Sequence, residues 1–341
     1  MTEPRDGLDE DLQIEGLELR RGTRERTRIR TLELPDGSWV EVPLMVVRGS
    51  QPGPVFYMGA AIHGDEINGV EILSTVASGV DLEELRGTLL VVPVQNPLAF
   101  RIQHRYFLGH MIKSPMDQGA ADPWSSFPGD PGGNMAGLIA HALYRRLMEP
   151  AGYVMDVHTP TTGGRYAPFA FLPPPRCGAV VQESERMAKA FGVDYILAAD
   201  SGMYVYGTSP HVVAAEGGKV ALGIELGEGG QLDPEEVRWG VRGVTNVLRH
   251  VGMLPGSPEP QGRGTVITAM REARASRGGL LHSRVRLNQE VAEGEVLATI
   301  TNVFGDVVEE VPAPLAGPIV RTVTFPIVAT GERVAQIGVP R

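Results

Sequence analysis

Apolar and polar residues alternate near the start of this chain and then stop alternating. Residues 27–34 change character with period two, Pro35-Asp36-Gly37-Ser38 has turn composition, and residues 39–47 return as a second strand. Residues 55–60 (Val-Phe-Tyr-Met-Gly-Ala) are continuously apolar, which predicts a strand buried on both faces. Further apolar runs predict strands over 88–94, 153–157 and 220–226. Between them, helical spacing predicts helices over 68–78, 134–148, 184–191 and 234–250, the last opened by Asp233 as N-cap. Strands and helices in alternation predict an α/β sandwich around a largely parallel sheet.

After residue 254 the pattern changes again. Leu254-Pro255-Gly256-Ser257-Pro258-Glu259-Pro260 has linker composition, and short apolar runs separated by Gly, Pro, Asn and Glu follow it. The expected division is an α/β unit over 1–255, with an N-terminal strand segment, and a small all-β barrel or sandwich over 256–341.

Composition narrows the function classes. With 42% hydrophobic and 21% charged residues over 341 positions, the chain has the make-up of a water-soluble globular protein. A net charge of −10 argues against nucleic-acid binding through a basic surface. Apolar runs fall short of the roughly 20 residues that span a bilayer, so no membrane partner is expected. The single cysteine, Cys177, has no disulfide partner and no CxxC pair exists. Residues 1–11 are acidic and polar and carry no secretory pattern, so a cytoplasmic location is expected.

In open α/β sheets ligands bind beyond the carboxyl ends of the strands. Three such ends carry chemistry here. Ala61-Ile62-His63-Gly64-Asp65-Glu66 follows the first buried strand, Asp156-Val157-His158 closes another, and Gly223-Ile224-Glu225-Leu226-Gly227 contains the third. Singly, His63 could be a loop histidine, Glu66 a helix-start carboxylate favoured by the dipole, and Glu225 a strand-end capping group. Together, His63, Glu66 and His158 make the two-histidine, one-glutamate set of a zinc site that keeps a position open for water. Asp156, two residues before His158 and on the same strand face, is placed to hold that histidine's far nitrogen. A water activated by the metal needs a proton acceptor, and Glu225, in an apolar strand between glycines that would admit substrate, is the candidate. Arg101, His104 and Arg105 form a basic cluster that points to an anionic ligand. Tyr204, Tyr206 and His211 lie in a Gly/Ser-rich loop before the Glu225 strand and receive no role.

These motifs, with Val92-Pro93-Val94-Gln95-Asn96-Pro97-Leu98-Ala99-Phe100 and Phe127-Pro128-Gly129, resemble the succinylglutamate desuccinylase/aspartoacylase family, relatives of the zinc carboxypeptidases. The resemblance runs from about residue 40 to the C-terminus. It implies a zinc-carboxypeptidase-like fold, one zinc per chain on His63, Glu66 and His158, and Glu225 as the group that activates water. It also implies that Arg105 polarises the scissile carbonyl or holds a substrate carboxylate. One departure stands out: where the family carries Asn-Arg before Phe-Pro-Gly to clamp a carboxylate, this chain has Trp124-Ser125. Either Arg101 or Arg105 takes over that carboxylate, or the substrate presents something else there, such as an apolar group stacking on Trp124. Trp124 could equally be a packed loop residue.

The reading is a zinc-dependent deacylase that cleaves linear amides, releasing an acyl group from a small N-acyl amino acid or N-acyl amine. The alternative is a zinc-binding pseudoenzyme or a non-catalytic small-molecule binding protein of the same fold, motivated by the altered Asn-Arg pair. A cofactor-carrier role for the small β domain lacks an attachment point, because no lysine follows Lys219. That domain is expected to shape the mouth of the site or a homo-oligomer interface.

Overall fold

The computed structural model describes residues 12–14, 17–107 and 122–341. Its frame is a mixed sheet built on four central parallel strands: β4 (Arg86–Val92), β3 (Gln51–Ala60), β5 (Tyr153–His158) and β8 (Val220–Glu228). The N-terminal hairpin, β1 (Thr23–Glu33) and β2 (Trp39–Arg48), extends one edge antiparallel to β4. On the other side β6 (Gly164–Phe171) runs antiparallel to β8, followed by β7 (Tyr195–Leu197). The expected parallel sheet is therefore the middle of a larger mixed one.

The continuous apolar runs are explained by two cores, one on each face. Val55 and Tyr57 of β3 enter one cluster, while Phe56, Met58 and Ala60 enter the other. The second face is covered by α1 (Asn68–Gly79), α4 (Val180–Phe191) and α6 (Pro234–His250), through residues such as Ile72, Phe191 and Val247. The first is covered by α3 (Met135–Leu143) and α5 (Pro210–Glu216), through Ile139, Leu143 and Ala214. A short helix, α2 (Pro97–Arg101), follows β4. The Asn134 and Asp233 side chains cap α3 and α6 by accepting from Gly137 N and Glu235 N. The helix expected over 134–148 is α for its first part and ends in a π turn over Tyr144–Met148.

Residues beyond the linker form β9 (Thr265–Arg274), β10 (Gly279–Ser283), β11 (Glu290–Val291), β12 (Val296–Thr301), β13 (Val307–Pro312), β14 (Gly317–Val323), β15 (Ile327–Val328) and β16 (Arg333–Pro340). Strands β13, β12, β10 and β15 make a separate four-stranded sheet over a core that includes Leu297, Ile300 and Ile337. Strand β9 pairs in parallel with β7, so the central sheet continues into this region, and β14 pairs with β6 through Arg321 and Tyr166. The C-terminal strands are thereby carried to the side of the central strand ends.

Strand β6 is not readable from the residue pattern. Pro168 interrupts it, and the pairing with β8 shifts register between Tyr166 and Phe169, as expected where a residue has no N–H to donate. Its last residue fills space the sequence seemed to leave for a substrate: a Cβ on Gly223 would lie 1.9 Å from Cζ of Phe171. Gly223 thus makes room for an aromatic ring. Gly223→Ala is expected to lower stability by about 1–3 kcal/mol through overpacking, measured by denaturant unfolding. Unchanged stability would contradict this packing.

Candidate active site

The loop after β3 places two of the three expected ligands. Ala61 adopts φ 47°, uncommon for a residue with a side chain, as the chain leaves the strand. Gly64 then passes so close to α2 that a Cβ would sit 2.1 Å from the carbonyl carbon of Ala99. Asp65 ties the loop down by accepting from Thr162 N at 2.9 Å and Thr162 Oγ1 at 3.0 Å. With the loop held in this way, His63 and Glu66 face His158 at the end of β5.

Glu66 lies between the two histidines. His63 Nδ1 is 2.7 Å from Glu66 Oε1, and His158 Nδ1 is 2.7 Å from Glu66 Oε2. All three side chains are buried, and one ligand atom from each lies within 4.8 Å of the others, so the group could hold a metal ion. Each imidazole turns its other nitrogen to an aspartate. His158 Nε2 is 2.8 Å from Asp156 Oδ2, while His63 Nε2 is 3.3 Å from Asp122 Oδ1, outside good hydrogen-bond geometry. Asp156 is itself fixed, accepting at 2.7 Å from Gln95 Nε2, whose Oε1 accepts from the Tyr57 hydroxyl at 2.7 Å. This buried chain fixes the orientation of the His158 ring, with Nε2 on Asp156 and Nδ1 towards Glu66.

The electrostatics follow from burial and crowding. Desolvation pushes Glu66 up, but His63 and His158 hold it well below the usual carboxylate range. Burial lowers His158, and Asp156 and Glu66 outweigh that and raise it well above an ordinary histidine. Glu225, cross-strand partner of His158, is raised to about 7 by burial and by the charge of Glu66. Its Oε1 accepts from the Tyr204 hydroxyl at 3.4 Å, and its Oε2 is buried without a partner.

A cavity of about 230 Å³ opens over these groups. Arg105 lines it, donating through Nη1 to Glu66 Oε1 at 2.9 Å and to Thr161 Oγ1 at 3.3 Å. Trp124 also lines it but is only 6% exposed. Its ring stacks on His211 at 6.2 Å and meets His158 edge-on at 6.2 Å, which joins the packed-residue and cavity-wall readings.

Two expected contacts are not brought there. Arg101 is exposed at the end of α2 and does not line the cavity, and the Ser125 hydroxyl donates to the Asp122 carbonyl at 3.2 Å. His104 is likewise exposed. His211 is not in a loop but on α5, buried, and lowered to about 4 by desolvation, so it is neutral at ordinary pH.

Several lining residues carried no signal in the sequence. Tyr166, Phe171, Arg321 and Arg333 all line the cavity, the last two from C-terminal strands. The Tyr166 hydroxyl donates to Gln336 Oε1 at 2.8 Å and lies 3.1 Å from that of Tyr204, linking β16 to the residue that touches Glu225. Asp122, two residues before Trp124, was not among the expected site residues.

The chain belongs to the succinylglutamate desuccinylase/aspartoacylase family: the model of that family's catalytic domain matches residues 52–251. The N-alpha-acetyl-L-2,4-diaminobutyric acid deacetylase of Halomonas elongata is 29% identical over 290 residues, covering 79% of this chain and 78% of that one. A succinylglutamate desuccinylase/aspartoacylase structure from Rhodobacter sphaeroides superposes with a TM-score of 0.80 at 26% identity, covering 95% of this chain and 98% of that one. The product-bound ectoine utilization protein EutE (DoeB) from Ruegeria pomeroyi gives 0.79 at 26% identity with the same coverage. Among the described residues, no helix is long and apolar enough to cross a membrane.

The Asp156 contact makes a quantitative expectation. Asp156→Ala should weaken metal affinity about 10- to 100-fold by releasing His158, as read by competition with a chelating dye. Unaltered affinity would remove Asp156 from the site.

Proposed function

We propose that this protein is a zinc-dependent amidohydrolase that removes an acyl group from the nitrogen of a small N-acyl amino acid. The observation that carries the reading is the burial of His63, Glu66, His158 and Glu225 around one cavity, with Glu225 in register beside His158. Two imidazole nitrogens and a carboxylate, each imidazole facing an aspartate on its far side, suit zinc better than the oxygen-rich sets of calcium or magnesium. The name of the Halomonas elongata relative supports a deacylase and favours an acetyl group.

A zinc held by His63, Glu66 and His158 would lower the pKa of its water and polarise the amide carbonyl. Glu225 takes a proton from the attacking water, and the water oxygen adds to the carbonyl carbon. Arg105, beside Glu66, stabilises the negative charge that develops on the carbonyl oxygen. Glu225 then returns the proton to the amide nitrogen, the C–N bond breaks, and a carboxylate and an amine leave. Tyr204 steadies the Glu225 carboxylate through its 3.4 Å contact. The cavity of about 230 Å³ fits a small substrate.

The test is metal content together with amine release from a panel: N-acetyl-L-2,4-diaminobutyrate, N-acetyl-L-aspartate and N-succinyl-L-glutamate. About one zinc per chain and release from at least one panel member are expected. Glu225→Gln should lose about 10²–10⁴-fold in turnover while retaining zinc. Undiminished turnover in that variant would exclude Glu225 from the mechanism. Zinc without release from any substrate would favour the non-catalytic binder that Trp124-Ser125 motivates.

A further inference from the structure

Three arginines line the cavity, and they are not equivalent. Arg105 is paired with Glu66 at 2.9 Å, and Arg333 is paired through Nη2 with Glu272 Oε1 at 2.6 Å. Arg321 forms no ion pair among the described residues. Its guanidinium lies over the Tyr166 ring at 5.7 Å and packs so tightly on Gly164 that a Cβ there would fall 2.2 Å from Nη2. Arg321 Nη1 is buried without a hydrogen-bond partner, and so is Arg333 Nε.

A mostly buried guanidinium without an anion is an expensive arrangement, because its desolvation is not offset. Burial pulls the Arg321 proton affinity down, and the neighbouring charge of Arg333 adds to that. The aromatic contact with Tyr166 returns only part of the loss. Such a cation, held rigidly at a cavity wall, is complementary to an anionic group on whatever occupies the cavity.

Position decides which end of a substrate this is. Strand β14 carries Arg321 and pairs with β6, which pairs with β8, the strand of Glu225. Arg321 is therefore near enough to feel the Glu225 charge. The loop that would carry Asn-Arg by the family resemblance carries Trp124-Ser125, and those side chains are committed to His211 and to the Asp122 carbonyl. Arg101 is outside the cavity.

We propose that Arg321, assisted by Arg333, is the receptor for the substrate's carboxylate, so that recognition of an N-acyl amino acid depends on the C-terminal strands. The proposal rests on the deacylase reading for the identity of the substrate, and its geometry stands without it. In this arrangement Glu225 serves the amide nitrogen and Arg321 the carboxylate.

The test is calorimetric binding in the Glu225→Gln background, where ligand is not consumed, using each acid of the panel and its α-carboxamide. At least one acid should bind about 10- to 100-fold more tightly than its carboxamide, the range for a charge-assisted hydrogen-bond pair. Adding Arg321→Gln should erase that preference, and Arg321→Lys, which keeps the charge and loses the fork, should restore part of it. Arg333→Gln should reduce the preference less than Arg321→Gln. Equal binding of acid and carboxamide in the parent, no binding of either, or a preference that survives Arg321→Gln would overturn the proposal. If Arg321→Gln does not fold by circular dichroism, the same comparison is read from Arg321→Lys, where an undiminished preference overturns it. Arg321-dependent binding by a native chain that releases no amine would overturn the deacylase reading alone.

Discussion

Glu66 is a buried carboxylate with an imidazole nitrogen 2.7 Å from each oxygen and a guanidinium at 2.9 Å. Moving such a charge out of water costs several kcal/mol unless it is surrounded by compensating groups. Much of the surrounding structure can be understood as supplying them in fixed positions. Asp156 and Asp122 face the far sides of the two histidines, Gln95 and Tyr57 hold Asp156, and Thr162 anchors the loop that bears Glu66. The positively strained Ala61 and the close pass of Gly64 over α2 are local expressions of the same demand. The parallel strands deliver the groups, and the two cores on either face keep those strands in register.

Glu225 shows the opposite use of burial. It lies beside His158 in the same cavity, yet it is raised rather than lowered, because it has one long contact to a hydroxyl and an unpartnered oxygen. Two glutamates a short distance apart thus differ in proton affinity by environment alone. One is held ionised among cationic donors, and the other is raised to about 7 by burial and the charge of its neighbour. Under the proposed function the pair divides metal binding from proton transfer within one fold.

The helix spacing and buried-strand runs were legible because they report on two faces of one sheet, and both faces are covered. His63, Glu66 and His158 were legible because His63 follows one apolar run with Glu66 three residues on, and His158 closes another, so strand ends could be placed without knowing the fold. Strand β6 was hidden by Pro168, and the role of Gly223 by a ring that arrives from β6. Arg101 and Arg105 looked alike in sequence, only four residues apart, but α2 ends between them and leaves one exposed and the other against Glu66. Arg321 and Arg333 reach the cavity through pairings among β14, β16, β6 and β9 that are distant in sequence, which no local pattern encodes. Local chemistry was readable, and long-range apposition was not.

The central claim is that His63, Glu66 and His158 hold a single zinc ion. X-ray absorption at the zinc edge on the purified native chain tests it most directly. The account predicts about one zinc per chain, with two nitrogen ligands near 2.0–2.1 Å and carboxylate oxygen near 2.0–2.2 Å, lost on His158→Ala. A zinc with sulfur ligands, a zinc signal that survives His158→Ala, or no zinc after reconstitution would contradict it.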